Sequence, residues 1–310
     1  MNLAPRVAIF GGGAVGCYFG ALLARAGHPV SIVGRPAPVE AMRAGGLHFR
    51  RNDLDFIARV EASVDPAAVA GADIVLLSVK SFDSESAARD MAPHLSPGAL
   101  LLSMQNGVEN PAIISPLVPC AVMPAVVYVA AEMTAPNQVT HSGRGDLVIG
   151  AQPVANRPST VTPAALADCF GAAGIPVRIS DNIDGEAWEK LAMNCALNAI
   201  SALARSQYGR IAGFEPTHSL MDEAVCEVDA VARAAGVRIP VDDLRLAASR
   251  LSAVMSRATS STAQDIARGK RTEIDALNGY IARRGAELGV PTPINRALHA
   301  LVRLLEQNRP

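Results

Sequence analysis

The chain has 310 residues, a formal net charge of −1, half of its residues hydrophobic and 18% charged. That composition can bury a large core and excludes global disorder, and the near-neutral balance excludes a dedicated nucleic-acid binder, which carries a basic domain or stripe. At roughly 150 residues per domain, the length suggests two domains.

In chain order, residues 7–10 form an apolar run typical of a buried parallel strand. Gly11 to Gly13 turn the chain, and a helix follows over about 14–26, stopped by Gly27. The uncharged stretch 7–24 superficially resembles an export signal. Five of its 18 residues are glycine, which is costly in a helical segment, so an export signal is not expected. No other uninterrupted apolar stretch is long enough to span a bilayer, and no membrane partner is expected. Residues 30–33 give a second strand and close a β-α-β unit. Further strands are expected at 74–79, 100–104, 121–129, 139–141, 147–149 and 177–179, with helices at 85–95 and 162–173. This alternation implies a mostly parallel α/β sheet. Beyond about Ser180 only helical periodicity continues, near 186–204, 217–235, 242–257, 263–269, 273–288 and 294–307. The expected organisation is an α/β Rossmann-type N-terminal domain over 1–180, which would bind the cofactor, and an all-α C-terminal domain over 181–310.

The cations are unevenly chosen. Lys and Arg together number 28, yet only Lys80, Lys190 and Lys270 are lysine, leaving 25 arginines. In an arginine-biased chain, a retained lysine can mark a place where guanidinium does not substitute, because the compact ammonium shifts its pKa on burial. The five cysteines (Cys17, Cys120, Cys169, Cys195 and Cys226) are scattered, with no pair or cluster at metal-ligand spacing. Reduced cysteines in a cytoplasmic protein without a metal site fit best.

Gly11-Gly12-Gly13-Ala14-Val15-Gly16 satisfies G-x-G-x-x-G between a strand and a helix, the context that gives the pattern its specificity. Gly11 allows the tight turn, Gly13 the approach of a pyrophosphate, and Gly16 close helix–strand packing. The helix N-terminus offers unpaired N–H groups and a positive dipole to the anion. After the second strand the chain reads Val33-Gly34-Arg35, with no carboxylate before Glu40 to hold ribose hydroxyls. Arg35 suits a 2′-phosphate and favours NADP(H). A plain surface arginine is the alternative in so arginine-rich a chain.

Glu186, Lys190, Asn194 and Asn198 recur every four residues along one helix face. A solvated face and the polar wall of a cleft both fit that spacing. Ser260-Ser261-Thr262 precedes a short helix, and Thr272-Glu273-Ile274-Asp275 precedes another. Local chemistry favours capping for both, Thr262 with Asp265 and Thr272 with Asp275.

Taken together, these segments resemble the ketopantoate reductase family (2-dehydropantoate 2-reductase), nearly end to end. The likeness rests on the glycine loop, Val79-Lys80-Ser81, Gln105-Asn106-Gly107, and Trp188-Glu189-Lys190-Leu191-Ala192-Met193-Asn194-Cys195. It continues through Ser260-Ser261 with Gln264-Asp265-Ile266, and Thr272-Glu273-Ile274-Asp275 with Asn278-Gly279. The resemblance implies NADPH-dependent reduction of a small 2-oxo acid, 2-dehydropantoate, to (R)-pantoate, toward pantothenate and coenzyme A. It implies Lys190 as proton donor to the keto oxygen and Glu273 as the acid that holds the substrate hydroxyl and engages this lysine. By the same likeness Ser261 contacts the substrate carboxylate, Asn194 and Asn198 bind substrate, and Asn106 sits beside nicotinamide and substrate. Lys80 and Arg35 lie on the cofactor side with Gly11, Gly13, Ala14, Val15 and Gly16. Closure of the two domains would exclude water from the transfer. One departure is Ala258, where some members carry asparagine. The same sites would serve a reductase of another branched 2-oxo acid. A non-catalytic NADPH-binding sensor would be expected to lack Lys190 or Glu273. A homodimer through the C-terminal helices is open, since apolar helix faces are equally explained by the domain's own core.

Overall fold

The computed structural model describes residues 4–155 and 157–308. Contacts divide these into two compact units: one of residues up to Gln105 with Glu109–Ile183, the other of Asn106–Val108 with the chain from Asp184 onward.

The first unit runs β1 (Val7–Phe10), α1 (Ala14–Arg25), β2 (Val30–Val33), α2 (Pro36–Gly45), β3 (Leu47–Arg51), β4 (Leu54–Ala58) and β5 (Glu61–Ser63). It continues with β6 (Ile74–Leu77), α3 (Ser84–Met91), β7 (Leu100–Ser103), α4 (Asn110–Ile114), β8 (Ala121–Ala135), β9 (Gln138–Gly150), α5 (Pro163–Ala172) and β10 (Val177–Ser180). The sheet order is β4-β3-β9-β8-β7-β6-β1-β2-β5, with β10 paired to β9. From β5 to β8 every pairing is parallel. Strands β1, β6 and β7 are buried at every residue, as a parallel sheet covered on both faces requires. The period of two divides each strand between two cores. Val7, Ile9, Ile74 and Leu76 pack on the side of α1. Ala8, Phe10, Val75 and Leu77 pack with Ala87, Ala88 and Met91 of α3 on the other side. This is the expected Rossmann-type layering.

Three expectations need correction here. The strands foreseen at 139–141 and 147–149 are one, β9, antiparallel to β8 from Ala135↔Gln138 to Ala125↔Ile149. The intervening Ser142-Gly143-Arg144-Gly145 has the composition of a turn but stays extended. Gly145 is required there by packing, since a Cβ would lie 2.0 Å from the Tyr18 hydroxyl. The helix foreseen over 85–95 ends at Met91 and closes in a 3-10 turn, Ala92–His94, because Pro93 has no N–H to continue it. The segment 36–63 carries α2, β3, β4 and β5, none of which the hydrophobic period reveals. Their strands alternate buried and exposed residues over only three to five positions.

The second unit contains α6 (Ile183–Ala204, entering it at Asp184), α7 (Tyr208–Gly213), α8 (Glu215–Ala234), α9 (Leu244–Val254), α10 (Ser261–Ala267), α11 (Asn278–Leu288) and α12 (Pro293–Gln307). It has no strand among its described residues, as expected. Its core joins Leu191, Cys195 and Ala199 of α6 to Met221, Val225 and Val228 of α8. The helix foreseen over 273–288 is a 3-10 turn, Ile274–Ala276, followed by α11. The Glu227 carboxylate holds the start of α12 by accepting from the backbone N–H groups of Ile294 and Asn295 at 2.8 and 2.9 Å. Among the described residues, no helix is long and apolar enough to cross a membrane.

Candidate active site

In the α/β unit the glycine loop is a backbone construction. Gly11 has φ +117°, where an L side chain is strained, and a Cβ there would meet Ser78 backbone at 2.7 Å. Its N–H and that of Gly12 donate to the Val33 carbonyl at 2.9 and 3.2 Å, so the end of β2 is tied to the loop. Ser78 Oγ donates to the Gly11 carbonyl at 2.8 Å. At Gly16 a Cβ would lie 2.3 Å from the Gly11 carbonyl oxygen and 2.7 Å from Ile9. Gly13 is the opposite case: nothing lies within 4 Å of where its Cβ would be. Gly13 is the N-cap of α1, without a side-chain cap and without an acidic residue in the first turn. Open space over uncapped N–H groups fits a dinucleotide pyrophosphate. Ala14 and Val15 open that helix. Arg35 is exposed, two residues past the tied end of β2, and no side chain among the described residues pairs with its guanidinium. That fits a 2′-phosphate. Lys80 is half-buried, three residues beyond β6, and its carbonyl accepts from Asp83 N–H at 2.8 Å.

In the helical unit three distant segments converge. Lys190 Nζ on α6 donates to Asn106 Oδ1 at 3.0 Å. Asn106 Nδ2 donates to Glu273 Oε2 at 3.2 Å. Asn106 belongs to the short piece after β7 that groups with this unit, and it stands 84 residues from Lys190 and 167 from Glu273. Only one orientation of the Asn106 amide serves both partners. A flip would set donor against ammonium and acceptor against carboxylate. Glu273 is buried and Lys190 half-buried.

The four-residue line on α6 is not a solvated face. Glu186 and Asn198 are buried, and Lys190 and Asn194 are half-buried. Tyr208 Oη donates to Asn198 Oδ1 at 3.3 Å, which turns the nitrogen end of that amide away from the phenol. Burial pushes the Tyr208 hydroxyl from its ordinary value of 10 up to about 12. Ser261 is exposed at the first position of α10. Ala258 sits half-buried against the helical core, and its carbonyl accepts from Tyr208 N–H at 3.0 Å.

The expected caps are displaced. The N-cap of α10 is Ser260, not Thr262, and its Oγ accepts from Ala263 N–H at 3.0 Å. Ser260 wins because the same hydroxyl also donates to the Asn198 carbonyl at 3.0 Å, a bond Thr262 does not make. Thr272 Oγ1 accepts from Ile274 N–H at 3.3 Å rather than closing a box with Asp275. Asp275 instead meets His299 at 2.7 Å. Tyr208 was missed from sequence because an isolated aromatic after a helix carries no periodic signal. His299, Arg303 and Glu306 were also missed, although their spacing of four and three residues on one helix is a stripe that could have been noticed.

The comparisons with known proteins agree from end to end. Residues 7–153 match the family described as Ketopantoate reductase PanE/ApbA, and residues 182–306 match its C-terminal family. A 2-dehydropantoate 2-reductase of Halobacterium salinarum is 31% identical over 306 residues, covering 98% of this chain and 99% of the relative. One from Mesorhizobium japonicum is 32% identical over 327 residues, covering 98% of each. Among solved structures, a PanE/ApbA family ketopantoate reductase from Ralstonia eutropha is 52% identical with a TM-score of 0.92, covering 97% of this chain and 98% of that one.

Proposed function

Because the chain belongs to the ketopantoate reductase family, we propose that it reduces 2-dehydropantoate to (R)-pantoate with NADPH, Lys190 giving the proton. The reaction is placed in the cytoplasm, on the way to pantothenate and coenzyme A. The observation that carries the reading is the hydrogen-bonded row Lys190–Asn106–Glu273.

When bound, the nicotinamide would supply the hydride to the keto carbon. Gly11, Gly13, Ala14, Val15 and Gly16 would hold its pyrophosphate, Arg35 the 2′-phosphate, and Lys80 the cofactor edge. Lys190 has two tasks that an ammonium can combine. It polarises the keto oxygen, and it releases a proton to that oxygen as the new C–H bond forms. Guanidinium is too basic for the second task. Asn106 orients the ammonium through its Oδ1 and the Glu273 carboxylate through its Nδ2. Glu273 accepts the substrate hydroxyl. Asn194 and Asn198 follow Lys190 at intervals of one turn and bind the rest of the 2-oxo acid, with Ser261 at its carboxylate.

The test is Lys190→Arg, which keeps the charge and removes the proton donor. The expected result is a loss of kcat of about a hundredfold or more, with NADPH affinity little changed. Turnover equal to that of the unaltered enzyme would refute the assignment. Ala258 favours a second reading, reduction of another branched 2-oxo acid, because its methyl group cannot make the hydrogen bond an asparagine would. Loss of NADPH absorbance with 2-dehydropantoate against a panel of branched 2-oxo acids decides between them by kcat/KM.

A further inference from the structure

Glu273 lies in a stretch with little local structure of its own. It precedes a single 3-10 turn and is not a side-chain cap for it. The residues on either side are held from elsewhere. Glu306 Oε1 accepts from the Thr272 N–H at 2.6 Å. Arg303 donates to the other oxygen of Glu306 at 2.8 Å and stands 3.6 Å from Asp275 Oδ2. His299 Nε2 meets Asp275 Oδ1 at 2.7 Å. Arg271 reaches Asp275 Oδ2 at 3.3 Å, and Arg283 of α11 donates to the Asp275 carbonyl at 3.0 Å.

The placement of Glu306 is costly on two counts. It occupies the last turn of α12, where the helix dipole favours cations. Its side chain is only 7% exposed, and a buried carboxylate is unfavourable without hydrogen-bonded partners. Arg303 and the Thr272 N–H, one on each carboxylate oxygen, work against both costs. Asp275 is similarly committed: burial works to raise its pKa, but the hydrogen bonds from His299 and Arg271 outweigh it and hold the carboxyl below its ordinary value. Gly279 completes the arrangement. A Cβ there would lie 2.9 Å from two ring atoms of His299, so the glycine leaves room for that ring beside Asp275.

We infer that His299, Arg303 and Glu306 of α12 are positioning residues that clamp the backbone on both sides of Glu273 and so set its carboxylate against Asn106. The inference rests on the role given to Glu273 above. It also accounts for Thr272, Asp275 and Gly279, to which the reaction itself assigns nothing.

The test compares Glu306→Ala with Glu306→Gln in the full chain, with Glu273→Gln as reference. Small misplacements of a reacting group cost up to about a hundredfold. Glu306→Ala is expected to lower kcat about tenfold or more, with the NADPH dissociation constant unchanged. Glu306→Gln keeps an oxygen for the Thr272 N–H and should restore kcat to within about threefold of the unaltered enzyme. If Glu306→Ala does not fold, Asp275→Asn, which keeps an acceptor for His299 but loses the charge facing Arg271 and Arg303, should lower kcat while KM moves less. The clamp is overturned if Glu306→Ala lowers the melting temperature but leaves kcat within twofold, or if Gln is no better than Ala. Should Glu273→Gln itself retain full turnover, it is the role of Glu273 that fails, and the clamp's purpose with it.

Discussion

The glycine loop and the Lys190 cluster are built in opposite ways. The loop is six consecutive residues acting through backbone, and it works by what it omits. At Gly11 and Gly16 a Cβ would collide with the fold, and at Gly13 it would fill open space. The cluster is three side chains brought together across 84 and 167 residues of chain, and it works by functional groups in a fixed orientation. The contrast teaches what each tolerates. A backbone site breaks when atoms are added. A side-chain site breaks when a group is removed or turned.

The sharpest way to break this comparison lies within the loop itself. Gly16→Ala adds a carbon 2.3 Å from a carbonyl oxygen that cannot move freely. It should cost about 1–3 kcal/mol of stability and abolish NADPH binding, read by thermal unfolding and by cofactor titration. Gly13→Ala adds the same carbon to open space, at φ −89°. It should cost at most about 1 kcal/mol, the difference between glycine and alanine at an N-cap, while the NADPH dissociation constant rises about tenfold or more. Unchanged affinity in Gly13→Ala would mean that the open space is not where the pyrophosphate lies.

The same contrast decides what was legible beforehand. The loop was readable because a backbone site is local, so its requirements stand side by side as G-x-G-x-x-G. The regular strands β1 and β6 were readable for the same reason, each being a contiguous apolar run, and β2 departs from that only at Ser31. The Lys190 line was visible by period, but period could not separate a solvated face from a polar wall, because that depends on what packs above it. Asn106 and Glu273 had no local mark of function, and their place came only from resemblance. The caps went wrong at Thr262 because the deciding bond, Ser260 to the Asn198 carbonyl, spans 62 residues. The edge strands β4 and β5, and β3 beside β4, were missed because a short strand with one face exposed lacks an apolar run.

Arg35 is a side chain that the otherwise backbone-built site is proposed to use, beside Lys80, and so it tests how far that description goes. Arg35→Ala should raise the NADPH dissociation constant about tenfold through loss of a charge-assisted contact, with NADH binding unchanged, measured by fluorescence titration of both cofactors. Stability should not move, since Arg35 is exposed. Equal weakening for both cofactors would place the arginine elsewhere than at the 2′-phosphate.

The smallest expected effect separates orientation from mere presence in the side-chain site. Tyr208 touches Asn198 through one bond of 3.3 Å, longer than the usual O–H···O distance. Removing it with Tyr208→Phe should therefore cost no more than about 1 kcal/mol. If the bond serves to orient the Asn198 amide, KM for the 2-oxo acid rises about two- to fivefold while kcat holds. The pH dependence gives an independent check. The native phenol ionises near 12 and the unfolded one near 10, so its stabilising contribution is complete below about pH 10 and is lost as pH rises toward 12. Phenylalanine removes that titration, and the alkaline fall in melting temperature should become shallower. A shallower fall with no change in KM would mean that Tyr208 packs the helical core without aiming Asn198. The polar wall beside Lys190 would then end at Asn194.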